Sequence, residues 1–120
     1  MTIITITAIL HDIGIKNAEE KYNSSSGKYQ EIEGPPVAKE IMENNNEDKD
    51  IIERVCYIIG WHHTASKNDG LDFEIIWEAD MLVNIEEEGL YKNTENVKYI
   101  IEKNFKTKKG KKIATNTYIL

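Results

Sequence analysis

The most apolar helix candidate in this chain runs over Phe73–Ile85. Asp80 is one of the carboxylates inside it. On a helix, that side chain shares a face with Ile76, Trp77 and Val83, which we expect to be buried. A buried ionised carboxylate needs a cation, strong hydrogen-bond donors or a proton. The segment therefore predicts a buried helix in which Asp80 either forms a salt bridge or belongs to a binding site.

Three further segments have apolar residues at helical spacing, and they predict a mostly helical bundle. Their apolar residues lie within 37–42, 51–59 and 97–105. Their predicted starts are the prolines at 35 and 36, then Asp48 or Asp50, and Thr94. The asparagines at 44–46 and Gly60 are the predicted ends of the first two.

The first third of the chain gives weaker signals. Residues 3–13 are ambiguous, because alternating Ile and Thr suit a strand while Ala8, Ile9 and Leu10 suit a buried helix. Residues 16–34 show no apolar period, and residues 23–27 predict an exposed loop.

Length and composition predict one soluble globular domain. The 120 residues allow one sizeable core, and 40% apolar with 30% charged residues excludes a disordered chain. No apolar stretch has membrane-spanning length. Residues 2–10 lack the basic start and cleavage site of a signal sequence. The single cysteine, Cys56, predicts no internal disulfide and hence a reducing, cytoplasmic compartment.

Charge is distributed unevenly along the chain. Residues 1–105 carry 21 acidic and 10 basic side chains, a net charge of −11, whereas residues 106–120 carry five lysines and no acid. So acidic a body excludes a platform for DNA or RNA. The lysines at 106, 108, 109, 111 and 112 predict a solvated turn around Gly110, with contact to phosphate as the alternative.

The three histidines of the chain all stand in two short motifs. His11-Asp12 ends an apolar run, and His62-His63 follows the predicted helix over 51–59. Taken singly, each motif is explained by helix capping or surface exposure, and Asp80 by a salt bridge to lysine or Arg54. Taken together with Asp80, they predict one divalent metal site, since imidazole and carboxylate are its usual ligands.

The order and surroundings of these motifs resemble the HD-domain superfamily of metal-dependent phosphohydrolases. The matching pieces are residues 8–14, 33–38, 59–64, 69–72 and 78–84. The resemblance implies an all-α, HD-domain-like helical bundle over residues 1–105, with residues 106–120 as a basic tail that packs on or extends it. It also favours a helix for residues 3–13.

The resemblance implies metal ligands at His11, Asp12 and Asp80. Asp12 would also be catalytic, by bridging two metals or orienting a water molecule. His62 and His63 match positions that line the pocket or hold a second metal in some members. The sequence does not choose among manganese, magnesium, iron, cobalt, nickel and zinc.

The implied substrate is a nucleotide or another small phosphoester. Lys16 and Arg54 are candidates for contacting its phosphate oxygens. Surface solvation of Lys16 and a salt bridge of Arg54 are the alternatives.

The chain departs from the family pattern at several positions. Members have a further metal-binding histidine on a helix before the His-Asp pair, whereas none of the ten residues before His11 is a histidine. Three explanations of the missing histidine are open: the start is internal to a longer protein, another subunit supplies the ligand, or the site is degenerate. Ile15, Gln30 and Trp61 also stand where relatives often have lysine or histidine. One weakly held metal is therefore expected, and the alternative function is a catalytically inactive helical module that binds a ligand or protein.

The missing first helix has a packing consequence. Its absence predicts an apolar groove with Ile4, Ile6 and Trp77 in its lining. Because exposed apolar surface of this kind tends to be covered by association, we expect a homodimer or a swapped assembly.

Overall fold

The computed structural model describes residues 2–119, and it confirms the all-α class. Every regular element in that range is an α-helix or a short 3-10 turn. The helices are α1 (Ile3–Leu10), α2 (Ile15–Tyr22), α3 (Gly27–Asn44), α4 (Lys49–Trp61), α5 (Leu71–Glu87), α6 (Thr94–Asn104) and α7 (Lys108–Tyr118). The 3-10 turns are Ala65–Lys67 and Leu90–Lys92. None of the helices within residues 2–119 has the length and apolar character needed to cross a bilayer.

The helices form two compact units. The first ends at Asp69 and contains α1 to α4, and the second begins at Gly70 and contains α5 to α7. That residues 1–105 act as one domain stays a prediction of the sequence.

The core of the first unit lies where α4 packs against α3 and α1. Its buried apolar residues are Ile6, Leu10, Ala38, Met42, Ile52, Val55 and Ile59. Helix α1 begins after Thr2, whose side chain accepts a hydrogen bond from the Thr5 amide at 3.2 Å. Helical packing therefore prevails over the strand preference of its isoleucines and threonines, as the family resemblance predicts.

The segment before Pro35 differs from the expectation. The sequence shows no apolar period over residues 16–34, where the structure has α2 and the first part of α3. The predicted helix start at Pro35 is wrong. Helix α2 escapes the pattern because Ala18 is its one buried residue. Helix α3 starts at Gly27 and continues through both prolines, since tertiary contacts hold its first half.

A polar cluster joins α2 to the first half of α3. Lys21 Nζ lies 2.9 Å from Glu33 Oε1, and the Tyr22 hydroxyl donates to Glu33 Oε2 at 3.0 Å. The hydrogen bond from Lys21 is the main cause that lowers the pKa of Glu33. The buried Glu33 carboxylate is therefore balanced by two donors from α2.

Two glycines bring the turn after α1 against α3. A Cβ atom on Gly14 would lie 2.6 Å from the backbone nitrogen of Gly34, and one on Gly34 would lie 2.7 Å from Ile59 Cγ2. Both distances are too short for a real Cβ, so the close approach requires glycine at each position. This contact positions the turn that carries His11 and Asp12.

In the second unit, α5 packs against α6 and α7. Its buried core residues are Ile85, Val97, Ile101, Phe105 and Ala114. The predicted buried face of α5 is only partly correct, because Ile76 is buried while Val83 is half-exposed. Instead, α5 buries two carboxyl groups, Glu74 and Glu78.

The lysine-rich segment forms helix α7, so the prediction of a solvated turn around Gly110 is wrong. Thr107 caps the helix, and its hydroxyl accepts a hydrogen bond from the Gly110 amide at 3.0 Å. Glu78 accepts from the amides of Lys106 and Thr107, each at 3.0 Å. Thr107 and Glu78 together satisfy backbone amides at the start of α7, and this allows the helix to form around Gly110.

Candidate metal centre

His11 is the C-terminal cap of α1, and Asp12 follows it in the turn of residues 11–14. His11 Nδ1 lies 2.9 Å from the carbonyl oxygen of Ala8. Since a carbonyl only accepts, Nδ1 carries the hydrogen and the lone pair of the neutral ring is on Nε2. This Nε2 lies 3.3 Å from Asp12 Oδ2.

His62 repeats this arrangement at the end of α4. It is the C-terminal cap of that helix, and its Nδ1 lies 2.7 Å from the carbonyl oxygen of Ile59. The neutral ring therefore has its lone pair on Nε2, which lies 3.8 Å from Asp12 Oδ1. His62 is only 3% exposed, so its ring orientation is held by packing as well as by this bond.

The Asp12 carboxylate faces one imidazole with each of its oxygens. The rings of His11 and His62 meet edge to face, with 5.6 Å between their centres. The Asp12 side chain is 51% exposed, so solvent reaches the carboxylate that both rings approach. One face of this group is thus rigid and the other is open to small molecules.

His63 completes the group, and contacts with α3 hold it in place. Its amide donates to Glu31 Oε2 at 3.0 Å, and its Nε2 lies 3.0 Å from Gln30 Oε1. Glu31 Oε2 also accepts from the Thr64 hydroxyl at 2.7 Å. A Cβ on Gly27 would lie 2.8 Å from His63 Cγ, so the ring rests against the backbone of α3.

One potential ligand atom from each of Asp12, His62 and His63 lies within 4.8 Å of the others. Two nitrogens and one carboxylate oxygen at such spacing form a partial donor set for a divalent transition metal. The C-terminal ends of α1 and α4 both meet at this group, and the negative ends of their dipoles favour a cation there. The donor types and the local field therefore fit a divalent cation.

Comparison of the chain with protein-family models, with curated proteins and with solved structures gave no match. The likeness to the HD-domain superfamily accordingly rests on the motifs of the sequence.

The other predicted site residues have different surroundings. Lys16 is exposed on α2. The two guanidinium nitrogens of Arg54 donate to the carboxylate of Asp69 at 2.8 and 3.2 Å, so the salt bridge that the sequence left open for Arg54 is formed. Asp80 is half-buried on α5 in the second unit, and its assignment as a metal ligand stays a prediction.

No pattern in the sequence indicates that Glu31 holds the turn of residues 62–64. This carboxylate is 32 residues from His63 along the chain, and it stands among other polar residues at the start of α3. Its part in holding the turn of residues 62–64 depends on the packing of α3 against α4, which periodicity does not reveal.

Proposed function

We propose that this chain is a metal-dependent phosphohydrolase of the HD type, acting on a nucleotide or another small phosphoester. The observation that carries the proposal is the pair of histidines that flank Asp12. Each donates Nδ1–H to a carbonyl three residues earlier in the chain and turns Nε2 toward an oxygen of the same carboxylate. Metal-binding histidines are oriented in this way in proteins.

In this proposal His11, Asp12, His62 and His63 hold a single divalent ion. The metal would lower the pKa of its bound water and polarise the phosphoryl oxygens of the substrate. Asp12 lies on the solvent-exposed side of the group, so its carboxylate would contact substrate and water. The hydrogen bonds to the carbonyl oxygens of Ala8 and Ile59 keep both rings in the tautomer that a metal requires.

The experiment is a measurement of metal content per chain after loading with manganese and desalting, by plasma mass spectrometry. The variants are Asp12→Asn and His62→Gln. Asp48→Asn is the matched control, because Asp48 is an exposed aspartate of the same unit whose side chain makes no capping hydrogen bond. We expect near-stoichiometric manganese in the wild type and control, and less than a tenth of that in Asp12→Asn.

Activity is measured on the same samples with p-nitrophenyl phosphate and bis-p-nitrophenyl phosphate. Manganese-dependent hydrolysis that is lost in Asp12→Asn supports the proposal. Wild-type protein that retains no manganese, or hydrolysis that survives in Asp12→Asn, contradicts it.

A second candidate function is a helical binding module without catalysis. The hydrogen bond between Gln30 and His63 Nε2 favours it, because that nitrogen already has a partner within the protein. In that case the wild type would bind manganese weakly or not at all and would hydrolyse neither phosphate ester.

We also infer that the protein forms a homodimer. In the first unit, α1 and α3 border an apolar groove of about 180 Å³. Its lining residues are Ile6, Ile9, Leu10, Ile41, Met42, Asn45 and Glu47. Of the three residues that the sequence predicts for such a groove, Ile6 lines this one, whereas Ile4 and Trp77 do not. Ile9 is 65% exposed. Sedimentation at micromolar concentration should show a dimer that Ile9→Ser converts to monomer; a wild-type monomer contradicts the inference.

A reducing, cytoplasmic compartment fits the single cysteine. The Cys56 thiol lies 3.7 Å from the carbonyl oxygen of Pro35, and burial raises its pKa. A thiol in such surroundings packs as a small apolar group and is poorly reactive.

A further inference from the structure

The second unit contains an apolar groove that the proposed metal centre does not use. It has a volume of about 380 Å³ and lies between α5 and α7. Its lining residues are Leu71, Ile75, Glu78, Ala79, Leu82, Thr107, Lys109, Gly110 and Ile113. Leu71 is 66% and Ile113 is 45% exposed, so two large apolar side chains of the groove face solvent.

The carboxylate in this groove already has hydrogen-bond donors within the protein. Glu78 accepts hydrogen bonds from the amides of Lys106 and Thr107 and from the Thr107 hydroxyl. A Cβ on Gly110 would overlap Glu78 Oε1, so the backbone of α7 lies directly against this carboxylate. These contacts hold both oxygens of the Glu78 carboxylate against the start of α7.

The α7 side of the groove is strongly basic. Lys109 lines the groove, and four more lysines stand within or just before the first turns of α7. No acidic residue occurs from Phe105 to Ile119. The groove therefore has a mostly apolar lining and is bordered by a lysine-rich helix, which complements an amphipathic segment with acidic flanks.

The shape of the groove suits a helix. Leu71, Ile75 and Leu82 recur at spacings of four and seven residues on α5, so they form one ridge about 16 Å long, or three helical turns. An apolar ridge of this length can receive the apolar face of another helix. A small anionic ligand would contact Lys109, whereas a longer acidic helix can also pair with other lysines of α7.

We propose that this groove docks an acidic amphipathic helix of a partner protein. The apolar face of that helix packs on Leu71, Ile75 and Ile113, and its acidic residues pair with the lysines of α7. All lining residues of this groove belong to the second unit, whereas Asp12 and the three histidines belong to the first.

The test uses a fluorescein-labelled 16-residue helical peptide with leucines at positions spaced three, four and seven apart and glutamates on their flanks. A second peptide has lysine in place of every glutamate. Binding to the full chain is measured by fluorescence anisotropy at 50 and 300 mM salt. We expect saturable binding of the acidic peptide, at least tenfold weaker binding of the basic one, and a severalfold loss at high salt.

Variants locate the binding site. Ile113→Ser should weaken binding of the acidic peptide at least tenfold, and Lys109→Glu severalfold. Ile32→Ser and Lys98→Glu are matched controls, since they remove an exposed isoleucine in the first unit and an exposed lysine on α6. Both should bind as the wild type does, and circular dichroism verifies that every variant is folded.

Five outcomes overturn the proposal. Three are the absence of saturable binding, equal affinity for both peptides, and binding that Ile113→Ser and Lys109→Glu leave unchanged. The fourth is self-association that Ile113→Ser abolishes, which would make a second copy of this chain the occupant. Association with phosphatidylserine vesicles, with no peptide binding, would likewise replace the partner helix by a membrane surface.

Discussion

The amide and the hydroxyl of Thr107 both donate hydrogen bonds to the carboxylate of Glu78, at 3.0 and 2.6 Å. This pair joins the start of α7 to the middle of α5 through a side chain that is almost fully buried. A buried carboxylate with several donors stabilises a fold only while it is ionised.

The first prediction concerns this carboxylate. Burial acts to raise the pKa of Glu78, but hydrogen bonds from Glu74, Thr107 and Lys106 outweigh it, and the pKa lies below its ordinary 4.5. A lowered pKa means that the anion stabilises the fold above pH 4.5 and that this contribution is lost as pH falls through the folded-state pKa. We expect Glu78→Gln to lower the free energy of unfolding by about 1–3 kcal/mol at pH 7.

The measurement is urea unfolding, followed by circular dichroism, at pH 7, 5 and 3. The difference between wild type and Glu78→Gln should shrink toward pH 3. Glu102→Gln, which changes an exposed glutamate on α6, should have little effect at any pH. A difference for Glu78→Gln that stays constant with pH would mean that the ionised carboxylate does not stabilise the fold.

The second prediction concerns the contact between the turn after α1 and α3. In Gly14→Ala, the new Cβ would meet backbone atoms of Gly34 and Gln30, which have little freedom to move. We expect a loss of about 1–3 kcal/mol in the free energy of unfolding, because α2 must shift away from α3.

Gly60→Ala is the matched control for this substitution. A Cβ at Gly60 on α4 would lie 3.4 Å from Pro35 Cγ, its nearest neighbour, so it fits with only a small adjustment. Replacing glycine by alanine within a helix typically stabilises by about 0.5–1 kcal/mol. The free energy of unfolding measured in urea should therefore fall for Gly14→Ala and rise for Gly60→Ala. A change in the same direction for both variants would refute the role assigned to the Gly14 contact.

The third prediction concerns Glu31, whose carboxylate accepts hydrogen bonds from the His63 amide and the Thr64 hydroxyl. Glu31→Ala leaves both donors without this acceptor, which typically costs about 1–3 kcal/mol. If the metal proposal is correct, manganese affinity should also fall by about 10- to 100-fold, because the His63 ring loses its support.

Glu31→Gln tests whether position or charge matters here. Both bonds go to Oε2, and an amide oxygen in its place can also accept two, so we expect Glu31→Gln to recover most of the stability and of the manganese affinity, measured by calorimetric titration. A Glu31→Ala variant that binds manganese as tightly as the wild type would remove Glu31 from the support of the site.

The sequence predicts the helices with a wide apolar face and misses those held by polar or backbone contacts. Helix α4 follows its predicted cap, Asp48, because its apolar residues recur over three turns. Helix α2 was missed because one small residue, Ala18, is all that it buries. Likewise, α7 has four lysines and little apolar surface, and the contact of Glu78 with its start cannot be read from periodicity.

The same distinction applies to the candidate site. The pairs His11-Asp12 and His62-His63 could be singled out because their residue types are rare in this chain and stand at the ends of apolar segments. The supporting contacts of His63 with Gln30 and Glu31 could not, since residues of ordinary polar type meet there only after α3 has packed on α4.

The last prediction concerns Asp80, which the family resemblance assigns as a metal ligand. Asp80→Asn keeps the size of the side chain and removes its charge. If Asp80 is a metal ligand, this substitution removes most of its contribution to the affinity for the metal. If that assignment is correct, manganese affinity falls at least tenfold, as measured by calorimetric titration and by metal content after desalting. Glu87→Gln, which changes an exposed carboxylate on the same helix, should bind manganese as the wild type does. If Asp80→Asn is folded and binds manganese normally, then the first unit holds the ion with its own residues, and the assignment of Asp80 is wrong.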